Sequence, residues 1–183
     1  ALAVEKLTGK EVTTVVDPTL LLEKADYEDL LYKDRIVKEK YIFAYYVVEN
    51  EMLSKCAQRA AKEYGYRLIE LHYKKTPKIK GENMIFDAGP SEFLTYIRDA
   101  ELVLTNSFHG TVFSVLFQKL FYSVYKENGR ITNLLTFLNL ERRHIETDKK
   151  MDFKDKIDYT TVAEKLCSYR EKSVEYLEKG IEQ

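Results

Sequence analysis

Cysteine is scarce in this sequence, and neither sign of charge is in excess. Cys56 and Cys167 are the two cysteines among 183 residues, and 29 basic side chains stand against 30 acidic ones. Two distant cysteines argue against a disulfide framework and against a metal site built on thiolates. The charge balance argues against nucleic acid as a partner. Every apolar run is far shorter than the roughly 20 residues that a membrane-spanning helix needs.

Several ligand-binding motifs are also missing. The sequence contains no G-x-G-x-x-G, no G-x-x-x-x-G-K-[ST] and no H-E-x-x-H. A standard dinucleotide site, a P-loop and a zinc-protease site are therefore disfavoured. The whole sequence is 45% hydrophobic and 32% charged, which is the composition of an ordinary globular domain. Its length is sufficient to bury a core.

The start of the sequence resembles the end of a helix, from Ala1 to Leu7, closed by Gly9. It carries no initiating Met and no recognisable targeting segment. We expect a C-terminal piece of a longer protein that works in a reducing cytoplasm.

Short apolar runs alternate with helical patterns along the chain. Helices are predicted over 51–64 with Gly65 as the cap, after an N-cap at Ser91, over about 111–118, after Asn128-Gly129, and over about 160–182. The predicted strands are 12–16, 41–48, 67–71, 101–105 and 120–124, with loops over 74–90 and 141–158. Alternation of this kind predicts an α/β, Rossmann-like parallel sheet with helices on both faces. We expect residues 1–158 to form this domain and 159–183 to form a C-terminal helix.

The stretch LTNSFHGTVFSVLF, residues 104–117, interrupts the most apolar part of the chain with polar residues. Such a strand-to-helix junction lies where open parallel sheets bind ligands. The start of the following helix offers unpaired backbone N–H groups that suit a phosphate or carboxylate. Gly110 would allow a ligand to approach closely, and Ser107 would cap the helix or bind the anion.

A purely structural interpretation remains open at this junction. Asn106 and Ser107 could serve only as caps, and His109 could be a half-buried structural histidine. The position at a strand end favours a binding site, and His109 is the histidine nearest to one. His72 ends an inner strand and His144 lies in a charged stretch, so both are expected to be structural or solvated. Asp17, before Pro18, is expected to form an Asx turn.

Three blocks of the sequence resemble the polysaccharide pyruvyl transferase family. They are DPTLLL at 17–22, GPSEFLTYIRDAELVLTNSFHGTVFSVLFQKLF at 89–121 and GRITNLLTFLNLERR at 129–143. Their order and spacing match that family, and the His-Gly junction with its apolar helix and Q-K-x-F is the most specific part.

The resemblance implies half of a GT-B-like enzyme with two Rossmann-like domains. Members move the pyruvyl group of phosphoenolpyruvate onto a sugar of a bacterial surface polysaccharide or of its lipid-linked precursor. They form a cyclic ketal and release phosphate. This chain would be the C-terminal part, located in the cytoplasm or at the inner face of the membrane, and whether it is active without an N-terminal domain stays open. No cofactor and no metal are expected, and the partners would be phosphoenolpyruvate and a saccharide acceptor.

In that scheme His109 serves as general acid/base or contacts the phosphate. Asn106, Ser107, Gly110 and Thr111 bind the substrate anion at the helix start. Arg130, which begins the helix after the next strand, reaches the same crevice; alternatively, it is only a solvated residue at the start of its helix.

Two other functions remain open. One is a GT-B-type glycosyltransferase with a nucleotide-sugar donor, which would need a carboxylate for the ribose hydroxyls. The other is a non-catalytic Rossmann-like module that binds an anion or a partner.

Overall fold

The computed structural model describes residues 2–73, 83–147, 153 and 155–181. The chain divides into two compact units, one formed by Lys24–Ile157 and one by Ala1–Glu23 together with Asp158–Gln183. The first unit carries the sheet. No described helix is long and apolar enough to cross a membrane.

In the described part of the chain, six strands form one sheet in the order β3-β2-β1-β4-β5-β6, and every neighbouring pair is parallel. The strands are β1 Tyr41–Tyr46, β2 Arg67–His72, β3 Met84–Ile85, β4 Leu102–Thr105, β5 Phe121–Val124 and β6 His144–Ile145. The predicted Rossmann-like α/β fold is confirmed.

The helices are α1 Leu2–Thr8, α2 Glu51–Tyr64, α3 Pro90–Asp99, α4 Phe108–Leu116, α5 Gly129–Phe137 and α6 Tyr159–Ile181. Short 3-10 helices cover Pro18–Leu20, Lys24–Leu30 and Glu141–Arg143. The prediction for α2 matches its observed bounds, and Gly65 ends that helix in the left-handed conformation at φ 66°. A residue with a Cβ would be strained there.

Alternate residues of β1 point to opposite faces of the sheet, and each face is covered by helices. Ile42, Ala44 and Tyr46 belong to a buried cluster that includes the inner face of α2. On the other face, the Phe43 ring stacks on Tyr96 of α3, with ring centroids 5.5 Å apart. A strand buried on both faces explains why YIFAYY is a continuous apolar run rather than an alternating one.

Three local predictions were wrong. Residues 12–16 form no strand, although they are β-branched, because they pair with no strand in the described part of the chain. The Val16 amide instead donates to the Ser173 hydroxyl of α6. Gly89, not Ser91, is the N-cap of α3, because Pro90 already occupies the first turn. Two predicted loops contain β3 and β6, which are two residues long and too short to leave a periodic pattern. The part of the first loop at 74–82 lies outside the described residues.

Within the smaller unit, α6 is tied to the residues after Asp17. The Asp17 carboxylate accepts from the Thr19 amide at 3.2 Å, which confirms the expected Asx turn. The Arg170 guanidinium donates to the Leu22 carbonyl at 2.7 Å and lies 3.3 Å from the Glu23 carboxylate. These contacts fix the loop that follows the turn.

Candidate functional site

The order of the strands reverses between β1 and β4, which are neighbours at the centre of the sheet. From β1 the chain runs outward to β2 on one side, and from β4 it runs outward to β5 on the other. Such a reversal leaves a crevice at the carboxyl ends of the two central strands, and open α/β sheets bind their ligands there. The predicted junction after β4 lies at this edge.

The start of α4 is held by a chain of short polar contacts. Ser107 is the N-cap, and its hydroxyl accepts from the Gly110 amide at 3.2 Å. The Ser107 amide donates to the Thr105 hydroxyl at 3.0 Å, and that hydroxyl donates to the Tyr45 carbonyl at 2.9 Å. The helix therefore begins at Phe108, three residues earlier than predicted, and His109 lies in its first turn.

Asn106 joins the ends of the two central strands. Its side-chain oxygen accepts from the Val47 amide at 2.9 Å, and its side-chain nitrogen donates to the Val48 carbonyl at 2.7 Å. Asn106 is buried, and it also lines the cleft described below. Its observed hydrogen bonds hold the backbone after β1 in place.

Gly110 and Thr111 face the interior. A Cβ on Gly110 would lie 2.6 Å from the Thr105 hydroxyl, so glycine is required for contact with β4 rather than for approach by a ligand. The Thr111 hydroxyl donates to the Ser107 carbonyl at 2.9 Å and contacts the Ser123 hydroxyl at 2.8 Å. Both residues therefore support the junction from inside.

His109 and Arg130 come together at the outer side of the junction. Both side chains are exposed, and both contact the half-buried Phe108 ring. The Arg130 guanidinium carbon lies 3.9 Å from the centroid of the Phe108 ring, and the His109 ring packs edge-on against Phe108 at 5.5 Å. The interpretation of His109 as half-buried is wrong. An imidazole and a guanidinium therefore both contact one aromatic ring at this junction.

A cleft of about 790 Å³ opens along the same edge of the sheet. Its walls come from the segments after β1, β5 and β6, from the first turn of α2 and from Asn106. The lining residues are Val48, Glu49, Asn50, Glu51, Met52, Lys55, Asn106, Val124, Tyr125, Lys126, Glu127, Asn128, Ile145 and Glu146. Its volume falls within the range of about 300–1,000 Å³ that is typical of small-ligand sites.

A family model described as polysaccharide pyruvyl transferase matches residues 2–126, about two thirds of the chain. The chain belongs to the polysaccharide pyruvyl transferase family. No curated protein matches it. The stretch that matches the pyruvyl transferase model runs from α1 past the end of β5, so it contains the whole junction from Asn106 to Thr111. Arg130 lies just beyond it.

Two residues near the junction were missed by the prediction of the site. Phe108 was not among the predicted site residues, yet its ring contacts both Arg130 and His109. Glu49 follows β1 at the carboxyl edge and lines the cleft. The rule that located the junction after β4 applies equally to the end of β1, and it was the signal that could have found Glu49.

Proposed function

We propose that this chain supplies the phosphoenolpyruvate-binding part of an enzyme that forms cyclic pyruvate ketals on a bacterial cell-surface saccharide. Membership of the pyruvyl transferase family carries the proposal. The exposed His109–Phe108–Arg130 surface at the carboxyl edge of the sheet supports it further. The enzyme is GT-B-like in this proposal, with an N-terminal Rossmann-like domain opposite this one, and it acts at the cytoplasmic face of the membrane on lipid-linked or polymeric acceptors.

The reaction defines what the site has to do. Two sugar hydroxyls form bonds to the central carbon of phosphoenolpyruvate, and the bond from that carbon to the phosphate oxygen breaks. One hydroxyl proton ends on the terminal carbon, which becomes a methyl group, and the other leaves with the phosphate. The site therefore needs a group that transfers protons and cations that hold a phosphate and a carboxylate.

His109 is assigned the proton transfers, because imidazoles exchange protons near neutral pH and this ring is exposed at the junction. Arg130 is assigned to the anion, since a guanidinium binds phosphate or carboxylate oxygens in pairs. The Phe108 ring contacts both groups. Ser107 caps α4, and together with Asn106, Gly110 and Thr111 it keeps the first turn of that helix in place for the anion.

Calorimetric titration of the full-length protein tests this proposal. Phosphoenolpyruvate is expected to bind. Arg130→Met is expected to weaken this binding at least tenfold, because the guanidinium that pairs with the anion of the ligand is lost. Arg142→Met is the matched control, since Arg142 is 78% exposed and outside the site. His109→Gln is expected to abolish formation of the ketal while the protein stays folded. Binding of a nucleotide sugar without binding of phosphoenolpyruvate would instead favour the glycosyltransferase, and ketal formation unchanged in His109→Gln would contradict the role of His109.

A further inference from the structure

The cleft beside the junction differs in charge from the surface that carries His109 and Arg130. Four glutamates and two lysines line it: Glu49, Glu51, Glu127, Glu146, Lys55 and Lys126. One of the lysines is already paired, because the Lys55 ammonium lies 2.7 Å from the Glu51 carboxylate. An anionic ligand is therefore disfavoured in the cleft.

The carboxylates of the cleft do not form a cation site. In the ranges that the structure describes, no group of three or more His, Cys, Asp or Glu side chains is placed to hold a metal ion. An ionised carboxylate that shares no metal ion with other ligands accepts hydrogen bonds and cannot donate them. Its natural partner in a ligand is a hydroxyl group. Val48, Met52, Val124, Tyr125 and Ile145 add apolar surface to the same walls, and small-ligand sites commonly combine such surface with a few placed polar groups.

One of these carboxylates is held from behind by a buried histidine. The Nδ1 atom of His72 lies 3.1 Å from Oε1 of Glu49. The His72 side chain is 4% exposed and that of Glu49 is 52% exposed, so the pair connects the core with the cleft. Because a carboxylate only accepts, Nδ1 must carry the proton that is shared.

The His72 ring is fixed by two aromatic neighbours. It stacks on Tyr46 at 4.3 Å with an angle of 6° between the planes, and on Phe86 at 5.7 Å. Its Nε2 atom is buried and has no hydrogen-bond partner among the described residues. An apolar ring would fill this space without leaving a buried nitrogen unpaired, which is unfavourable. What the imidazole adds is the hydrogen bond to Glu49.

We propose that the cleft binds the saccharide acceptor, with the carboxylate of Glu49, oriented by His72, accepting a hydrogen bond from a sugar hydroxyl. This rests on the proposed function for the nature of the acceptor. Glu49 touches the substrate, and His72 is a positioning residue. Asn106 lines the cleft three residues before His109, and Asn128 lines it two residues before Arg130. A sugar in the cleft therefore lies next to the segments that carry the proposed donor site.

The test uses the full-length protein and two matched probes, methyl β-glucoside and methyl β-glucuronide, which differ by one carboxylate. Binding is measured by saturation-transfer NMR titration. The neutral glycoside is expected to bind at least tenfold more tightly than the uronide, because the cleft is lined by carboxylates. No binding of the neutral glycoside, or equal binding of both probes, would overturn the proposal.

Variants assign the binding to the residues named. Glu49→Gln is expected to weaken binding of the glucoside at least tenfold, and Glu63→Gln, at an exposed position on α2 outside the cleft, to leave it unchanged. His72→Phe is expected to weaken it similarly, and His72→Asn, whose amide nitrogen can replace Nδ1, to restore most of it. Unchanged glucoside binding in Glu49→Gln would contradict the proposed contact between Glu49 and the sugar. Unchanged binding in His72→Phe would contradict the positioning role of His72.

Phosphoenolpyruvate titrations of the same variants separate this proposal from the proposed function. Glu49→Gln and His72→Phe are expected to bind phosphoenolpyruvate as the unaltered protein does, whereas a damaged fold would lose both ligands. If phosphoenolpyruvate binding depends on Arg130 but glucoside binding does not depend on Glu49, the proposal for the cleft is contradicted and the proposed function is not. If glucoside binding depends on Glu49 but phosphoenolpyruvate does not bind, phosphoenolpyruvate is contradicted as the donor and the proposal for the cleft still holds.

Discussion

Gly110 and Thr105 approach each other closely where α4 crosses the end of β4. The position for a Cβ on Gly110 lies 2.6 Å from Oγ1 and 3.0 Å from Cγ2 of Thr105. Thr105 cannot turn away without losing its bonds to the Tyr45 carbonyl and the Ser107 amide. The sequence pattern His-Gly therefore serves packing and exposure together, because the glycine lets the helix sit close enough to present His109.

Gly110→Ala is expected to destabilise the protein by up to about 2 kcal/mol. Overpacking a tight contact typically costs about 1–3 kcal/mol, and the roughly 1 kcal/mol that alanine gains over glycine inside a helix offsets part of this cost. The measurement is chemical denaturation followed by circular dichroism.

Gly129→Ala is the control, since a Cβ there meets nothing within 4 Å. Its stability is expected to equal or slightly exceed that of the unaltered protein. A Gly110→Ala protein as stable as this control would show that the contact with Thr105 relaxes without cost.

At the scale of single elements, β6 depends on the 3-10 turn before it. The Arg143 side chain is 2% exposed, and its guanidinium lies 3.1 Å both from the Asp155 carboxylate and from the Lys156 carbonyl. The same group lies 5.1 Å from the centroid of the Tyr122 ring on β5. One side chain thus ties the turn, the neighbouring strand and the segment after Asp155 together.

Arg143→Ala is expected to lower the free energy of unfolding by about 2–3 kcal/mol, because buried packing and two hydrogen bonds are lost together. Arg142→Ala, at the exposed neighbour 3.8 Å from the same carboxylate, is expected to change it by less than about 0.5 kcal/mol. Urea denaturation compares the two.

Arg143→Met distinguishes the contribution of packing from that of charge. If packing dominates, methionine recovers most of the loss, since an apolar side chain of similar length fills the space. Equal stability of Arg143→Ala and Arg142→Ala would contradict the anchoring role of Arg143.

At the scale of the whole molecule, the core is rich in tyrosine. The sequence contains 14 tyrosines, and burial raises the pKa of several above the ordinary value of 10.0. The pKa of Tyr41 is raised first by burial, and that of Tyr46 by burial and then by the nearby Glu70 carboxylate. Their hydroxyls donate to the Tyr96 carbonyl and to Glu70, each at 2.8 Å.

Tyrosine ionisation of the folded protein is therefore expected to proceed in two phases. In the later phase Tyr41 and Tyr46, whose pKa values are raised by burial, ionise as the protein unfolds. A folded-state pKa raised in this way stabilises the protein fully below pH 10 and loses that contribution as the pH rises further. Ultraviolet absorbance of tyrosinate, recorded together with circular dichroism, measures both events.

The same titration in concentrated urea is the reference and is expected to show a single phase. A single phase in the folded protein, without loss of circular dichroism, would contradict the burial of Tyr41 and Tyr46.

Periodicity and strand-end position predicted the main elements and the junction well, because both depend on local residue order. YIFAYY could be read as an inner strand, and EMLSKCAQRAAKEY as an amphipathic helix with a glycine cap. The two-residue strands β3 and β6 could not be read, since their pairing is set by neighbours far along the chain. Because pairing depends on such distant neighbours, the β-branched run VTTVV predicted a strand, yet no strand in the described part of the chain pairs with it.

Residue order by itself determined the parallel α/β class and the family, because each follows from local patterns. Only tertiary structure decided which polar groups face inward. Thr111 turned to Ser123, Asn106 bridged two strands, and His72 came to hold Glu49 at the edge of the cleft. These pairings join residues from different strands and helices, and a hydrogen bond between distant segments exists only once the sheet has brought them together.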